Sequence, residues 1–150
     1  MKTKSVVASI VLVASLLLNV VAIAKSDKPY KNGSVWEVSF IRVLPGNYEL
    51  YMTYLSKDWK TVQDALKKEG IVLSYKILST EGHTAMDWNL MLMVEYKDMA
   101  SMEANEAKSE EIVAKVVGDM EQMAKSTQAR GAMRELTGNR IAREVVLQSK

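Results

Sequence analysis

SFIRVLPGNYELYMTYLSKDW (residues 39–59) changes its period in the middle, and that change decides the fold. Ahead of Pro45, apolar and β-branched residues alternate. Trp36, Val38, Phe40 and Arg42 fall on one face and Glu37, Ser39, Ile41 and Val43 on the other. Side chains two apart share a face of a strand, so residues 35–44 read as one. Pro45-Gly46 ends it, because proline cannot donate to a ladder and glycine permits the sharp turn. Asn47 then suits a helix N-cap, and Glu49 places an acid at the positive end of the helix dipole. Tyr51, Leu55, Trp59, Val62 and Leu66 recur at helical spacing, and Gly70 suits the position just past the helix end.

The next segments repeat the alternation of element types. IVLSYKILS (residues 71–79) reads as a second strand and WNLMLMVEY (residues 88–96) as a third. The polar stretch TEGHTAMD (residues 80–87) joins them as a hairpin. Alternation along the third strand places Trp88 with Leu90, Leu92, Val94 and Tyr96, opposite Met91, Met93 and Glu95. Asp98 suits the cap of a helical region that runs to about residue 136, broken near residues 105–109. LTGN (residues 136–139) reads as a stop, and RIAREVVLQ (residues 140–148) as the last strand. The resulting order, β-α-β-β-α-β, predicts an α+β fold of the ferredoxin-like kind with an antiparallel sheet. Helices cover one face of such a sheet. Here both faces of the strands are apolar, which calls for a partner, and the simplest is a second copy.

The start of the chain has a different character. Lys2 and Lys4 precede an apolar run that ends in Ala22-Ile23-Ala24. This pattern predicts a secretory signal peptide over residues 1–24, and hence a secreted or periplasmic protein. The alternative is an uncleaved anchor, since the run is long enough to span a bilayer. The whole chain carries a net charge of +2. That excess lies in Lys2 and Lys4, so the remainder is neutral and has no electrostatic pull towards nucleic acid or anionic membrane. The chain has no cysteine. Disulfides and a lipid-modified cysteine are therefore excluded, and stability must come from a core. Residues 25–34 read as a flexible lead-in, and residues 35–148 as one domain.

RVLPG, the tyrosine- and tryptophan-bearing helix after it, MLMVEYKDM and RELTGNRIAREVV together resemble the dimeric α/β-barrel superfamily. Its members include antibiotic-biosynthesis monooxygenase-like, EthD-like and NIPSNAP-like proteins. The resemblance spans residues 35–147 and implies a homodimeric α/β barrel. It implies no single chemistry, since the superfamily holds cofactor-free oxygenases, haem enzymes, isomerases and exported proteins of unknown role. No helix-borne histidine supports a haem branch.

Motifs for chemistry are few. His83 is the only histidine, and it sits in the hairpin loop. There is no Cys/His metal cluster, no phosphate-binding glycine loop and no HExxH. The reading therefore assigns no metal and no cofactor. The ten methionines are an unusual abundance. Met99 and Met102, like Met120 and Met123, are three apart and share a helix face. Thioethers bind Cu(I), but methionine also fills irregular cores. Trp36, Tyr51, Trp59, Tyr75 and Trp88 are candidate walls for a flat apolar ligand. Arg42, Lys76 and Glu95 interrupt apolar strands, where a charge needs a partner or a ligand. Arg42, beside Trp36, is the candidate anchor for an anionic or carbonyl group. The function this supports is binding of a small apolar or aromatic molecule. The alternatives are a cofactor-independent oxygenase or isomerase, and a Met-rich copper-binding protein.

Overall fold

The structure is a computed structural model and describes residues 28–82 and 84–149. The expected signal peptide and His83 lie outside the described residues. The elements follow the order β1 (Tyr30–Val43), α1 (Tyr48–Tyr54), α2 (Lys60–Lys68), β2 (Ser74–Ser79), β3 (Leu90–Tyr96), α3 (Met99–Ala104), α4 (Glu106–Val117), α5 (Met120–Met133) and β4 (Arg134–Leu147). A π-helical stretch, Leu55–Trp59, joins α1 to α2. The strands form one sheet in the order β2-β3-β1-β4, with every neighbouring pair antiparallel. This is the ferredoxin-like arrangement the alternation of periods predicts.

The helices cover one face. Ile41 and Val43 of β1, Leu90 and Leu92 of β3, and Met133 pack with Tyr51 and Leu55 of the first helical unit. Leu66, Ile71, Val72 and Val94 form a second cluster beside them. The opposite face carries Trp36, Val38, Phe40 and Arg42 from β1, and Met91, Met93 and Glu95 from β3. Cross-strand register holds these in one layer: Val38 lies opposite Met93 and Phe40 opposite Met91.

Several boundaries differ from the sequence reading, each for a physical reason. Residues 30–34, read as lead-in, belong to β1, because Tyr30, Lys31 and Asn32 pair with Leu147, Val146 and Val145. The β-branched end of β4 supplies the ladder that a polar segment alone does not advertise. LTGN is not a stop. It lies inside β4, at a register shift where Gly138 faces Phe40 and Leu136 faces Ile41. Its glycine marks a bulge, another meaning of glycine in a strand. Ile71 and Val72 precede β2 and are buried, their N–H groups donating to the Leu66 carbonyl that ends α2. Gly70 occupies the left-handed region there, at φ 71°.

The helical caps divide in the same way. Asp98 caps α3, accepting from the Ser101 N–H at 2.7 Å. Asn47 precedes α1 but makes no side-chain cap bond; its Nδ2 donates to the Pro45 carbonyl instead. The break near residue 105 is present, with Asn105 between α3 and α4. A second break follows α4 at Gly118, where φ is 107° and Asp119 recaps the chain through the Gln122 N–H. No helix among the described residues is long and apolar enough to cross a membrane.

Candidate functional site

The sheet separates the seven candidate residues into two groups. Trp36, Arg42, Trp88 and Glu95 lie on the open face. Tyr51, Trp59 and Tyr75 lie on the helical side. Trp88 departs from the expected alternation. It precedes β3 rather than belonging to it, and its ring meets Phe40 edge-on at 5.1 Å. It therefore joins Glu95 on the open face.

On that face Arg42, Lys76 and Glu95 are engaged, and Arg140 joins them from β4, opposite Val38, donating to the Asn139 carbonyl. Arg42 forms an ion pair with Glu135 and donates to the Ala85 carbonyl at 2.9 Å. It ties β1 to β4 and to the β2–β3 connection. Lys76 Nζ lies 4.4 Å from the centre of the Trp36 ring. Glu95 accepts from the Ser74 hydroxyl. Hydrogen bonds from Ser34 and Ser74 hold its carboxyl below the usual glutamate range. The polar groups border an apolar centre made by Val38, Phe40, Met91 and Met93.

On the helical side, Tyr51 is 1% exposed and stacks on Tyr54 at 5.8 Å. Burial pushes its hydroxyl pKa up against the opposing field of Arg134. Trp59 meets Tyr75 edge-on at 5.3 Å. The Tyr75 hydroxyl donates to Asp64 Oδ1, which raises the Tyr75 pKa. The Lys60 ammonium first and this hydroxyl second hold Asp64 below the usual aspartate range. Among the described residues, no group of three or more His, Cys, Asp or Glu is placed to hold a metal ion.

A further cavity lies elsewhere, between the end of β3 and helices α3, α4 and α5. It measures about 700 Å³ and is bordered by Tyr96 and by Met99, Met102, Met120 and Met123. Glu103, Glu106 and Glu110 also line it. None of the three forms an ion pair among the described residues. The sequence signal for this cavity was the pair of three-residue methionine spacings. The sequence alone did not show that the two pairs share one space, because α4 and its two breaks intervene.

Tyr96 at the cavity wall has its hydroxyl pKa pushed up to about 12, by burial first and by the neighbouring Glu37 carboxylate second. A free tyrosine titrates near 10. The folded pKa is thus above the unfolded one. The stability gained from keeping Tyr96 protonated is fully present below about pH 10 and is lost as pH rises through 12. Tyr96→Phe is expected to remove one hydroxyl from the part of a tyrosinate absorbance titration above pH 11. It also flattens the alkaline fall of the urea midpoint. An unchanged high-pH titration refutes the assignment to Tyr96.

Solved structures share this architecture. A NIPSNAP family protein of unknown function from Agrobacterium tumefaciens str. C58 superposes with a TM-score of 0.50 at 11% identity, over 79% of this chain and 92% of that one. HapK from Hahella chejuensis gives 0.49 at 14% identity, over 77% and 95%. A dimeric ferredoxin-like protein from an uncultured marine organism gives 0.43 at 18% identity, over 82% and 100%. The strand order and the superposition at 0.50 agree on a ferredoxin-like fold, and at 11% identity the likeness concerns the fold alone. No protein-family model and no curated protein matches the sequence.

Proposed function

We propose that this domain binds a small, largely apolar molecule, neutral or cationic, in the methionine-lined cavity, and that it works as a homodimer closed sheet against sheet. The cavity carries the first part. Its volume of about 700 Å³ falls in the range of about 300–1,000 Å³ typical of small-molecule sites. Thioether side chains are flexible and polarisable, so four of them adapt to an apolar guest of irregular shape. The three unpaired glutamates favour a neutral or positively charged guest over an anion. The open sheet face carries the second part, with an apolar centre inside a polar border, the anatomy of a protein interface.

The same four methionines favour a second reading, Cu(I) binding through thioethers. A bare ion needs its sulfurs gathered around one point, whereas the cavity has room for an organic molecule. The volume therefore places the organic ligand first.

The test uses Nile red as a neutral apolar probe and 1-anilinonaphthalene-8-sulfonate as its anionic counterpart. Nile red is expected to bind one per chain and more tightly than the sulfonate. Ala114 lines the cavity and is itself exposed, so Ala114→Trp fills the space without disturbing the core. It is expected to weaken Nile red binding at least about tenfold, the effect of losing about 1.4 kcal/mol of contact. Equal binding of Nile red to Ala114→Trp and to the parent refutes the site. If the methionines instead hold a metal, Cu(I) binds stoichiometrically and Nile red does not.

A further inference from the structure

Gln63 is the one buried polar side chain of the described core. It is 7% exposed, and its Oε1 accepts no hydrogen bond within the described structure. Nearly all buried polar atoms are satisfied, so each exception calls for an explanation. Gln63 lines a cavity of about 300 Å³ between α2, α4 and α5. Arg130 lines the same cavity from α5. Its Nη2 donates to the Thr127 hydroxyl at 2.8 Å, while its Nε is buried and also without a partner. No carboxylate pairs with Arg130 among the described residues. Two complementary orphans therefore border one space: an acceptor on Gln63 and a cationic donor on Arg130.

The remaining walls are aromatic. Tyr54 and Trp59 line this cavity, and the Arg130 guanidinium lies 5.9 Å from the centre of the Tyr54 ring. Tyr54 precedes the π-helical stretch Leu55–Trp59, and Trp59 is its last residue. Such wide turns interrupt regular helix bonding and occur often at functional sites. As the side chains stand both orphans are closed to solvent, so any guest reaches them only with a change of side-chain rotamer, and after such a change either can be satisfied by a water. Such a water uses neither the charge of Arg130 nor the aromatic walls.

We infer that this cleft is a second ligand site, for a small organic carboxylate that also carries a hydroxyl or amine on a flat apolar body. The carboxylate meets the Arg130 guanidinium, the charge-assisted partner its geometry favours. The hydroxyl or amine donates to Gln63 Oε1. The ring lies against Trp59 and Tyr54. A volume of about 300 Å³ limits the guest to roughly one substituted ring, at the lower end of small-molecule sites. This site is separate from the methionine-lined cavity, although Val113 and Met123 border both.

The experiment is isothermal titration of the full chain with 3- and 4-hydroxybenzoate, with benzoate and 4-methylphenol as probes lacking one group each. One of the hydroxybenzoates is expected to bind one per chain. Benzoate and 4-methylphenol are each expected to bind about tenfold more weakly, the effect of one lost hydrogen bond. Gln63→Met keeps the volume and removes the acceptor. It is expected to bind hydroxybenzoate no better than benzoate. Arg130→Met is expected to lose the preference for hydroxybenzoate over 4-methylphenol. Ala114→Trp, which fills the other cavity, leaves these affinities unchanged, so the two sites fail separately. The inference is overturned if neither hydroxybenzoate binds at millimolar concentration, as when water alone satisfies the two orphans. It is equally overturned if the hydroxybenzoates bind no better than their single-group controls. Should Gln63→Met fail to fold, the probe comparison on the parent and the Arg130→Met titration decide the question.

Discussion

Met93→Lys is expected to turn the proposed dimer into a monomer at micromolar concentration, as read by sedimentation equilibrium. Met93 lies near the centre of the open sheet face, opposite Val38. Its side chain is half-buried in the single chain. A lysine there reaches water along its own stem while the protein is monomeric, so the fold survives. Closing a second sheet over it buries an ammonium with no partner. That costs about 3–5 kcal/mol, which raises the dimer dissociation constant by at least about 100-fold. Met93→Leu keeps the apolar surface and is expected to remain dimeric. A parent protein that sediments as a monomer at tens of micromolar sinks the pairing.

A second copy suits this face better than an unrelated partner, because the face is complementary to itself. In a two-fold interface each patch meets its own image. The apolar centre of Val38, Phe40, Met91 and Met93 is uncharged, so self-contact creates no repulsion there. Three charges on this face have partners within the chain: Arg42 with Glu135, Glu95 with Ser74, and Lys76 over Trp36. These three need no counter-charge from another protein. Arg140 of β4, opposite Val38, forms no ion pair among the described residues and is a charge that a two-fold pairing must leave at its solvated edge. A partner chosen by electrostatic steering would require the opposite, an unpaired patch of one sign.

The fold was legible because its strongest signals are periodic. The alternation before Pro45 and the helical recurrence from Tyr51 to Leu66 each extend over several residues, and tertiary packing reinforces both. The misread places are those where one residue type has two meanings. Gly138 reads as a terminator but sits in a bulge, and only pairing with β1 decides between the two. Trp88 reads as the first residue of a strand. It lies just outside, and one residue of displacement moves it to the other face. The candidate site was legible in part. The structure divides the candidate aromatic residues between the two sides of the sheet, a separation the sequence reading did not make. Gln63 gave no signal, since a glutamine in an amphipathic helix reads as surface, and its burial depends on α4 and α5 folding over it. Arg130 was hidden for the same reason.

Leu90→Ala is expected to lower unfolding stability by about 2–5 kcal/mol, the range for truncating a buried leucine. Leu90 is 0% exposed and packs within the cluster that joins β1, β3 and the first helix. Its neighbours are already dense, so they cannot collapse into the space left behind. Met99→Ala and Met102→Ala make the informative contrast. Both residues border the large cavity, and neither belongs to the buried core, where Met133 is the only methionine. Truncation there enlarges a space that is already open to solvent, so each is expected to cost less than about 1 kcal/mol. Urea unfolding of the three variants separates two meanings of a methionine-rich sequence. If Met99→Ala and Met102→Ala cost as much as Leu90→Ala, the thioethers are core filling and the cavity has no ligand to hold. A large cost at Leu90 alone leaves Met99 and Met102 free of a structural duty, which is the outcome the proposed ligand site expects.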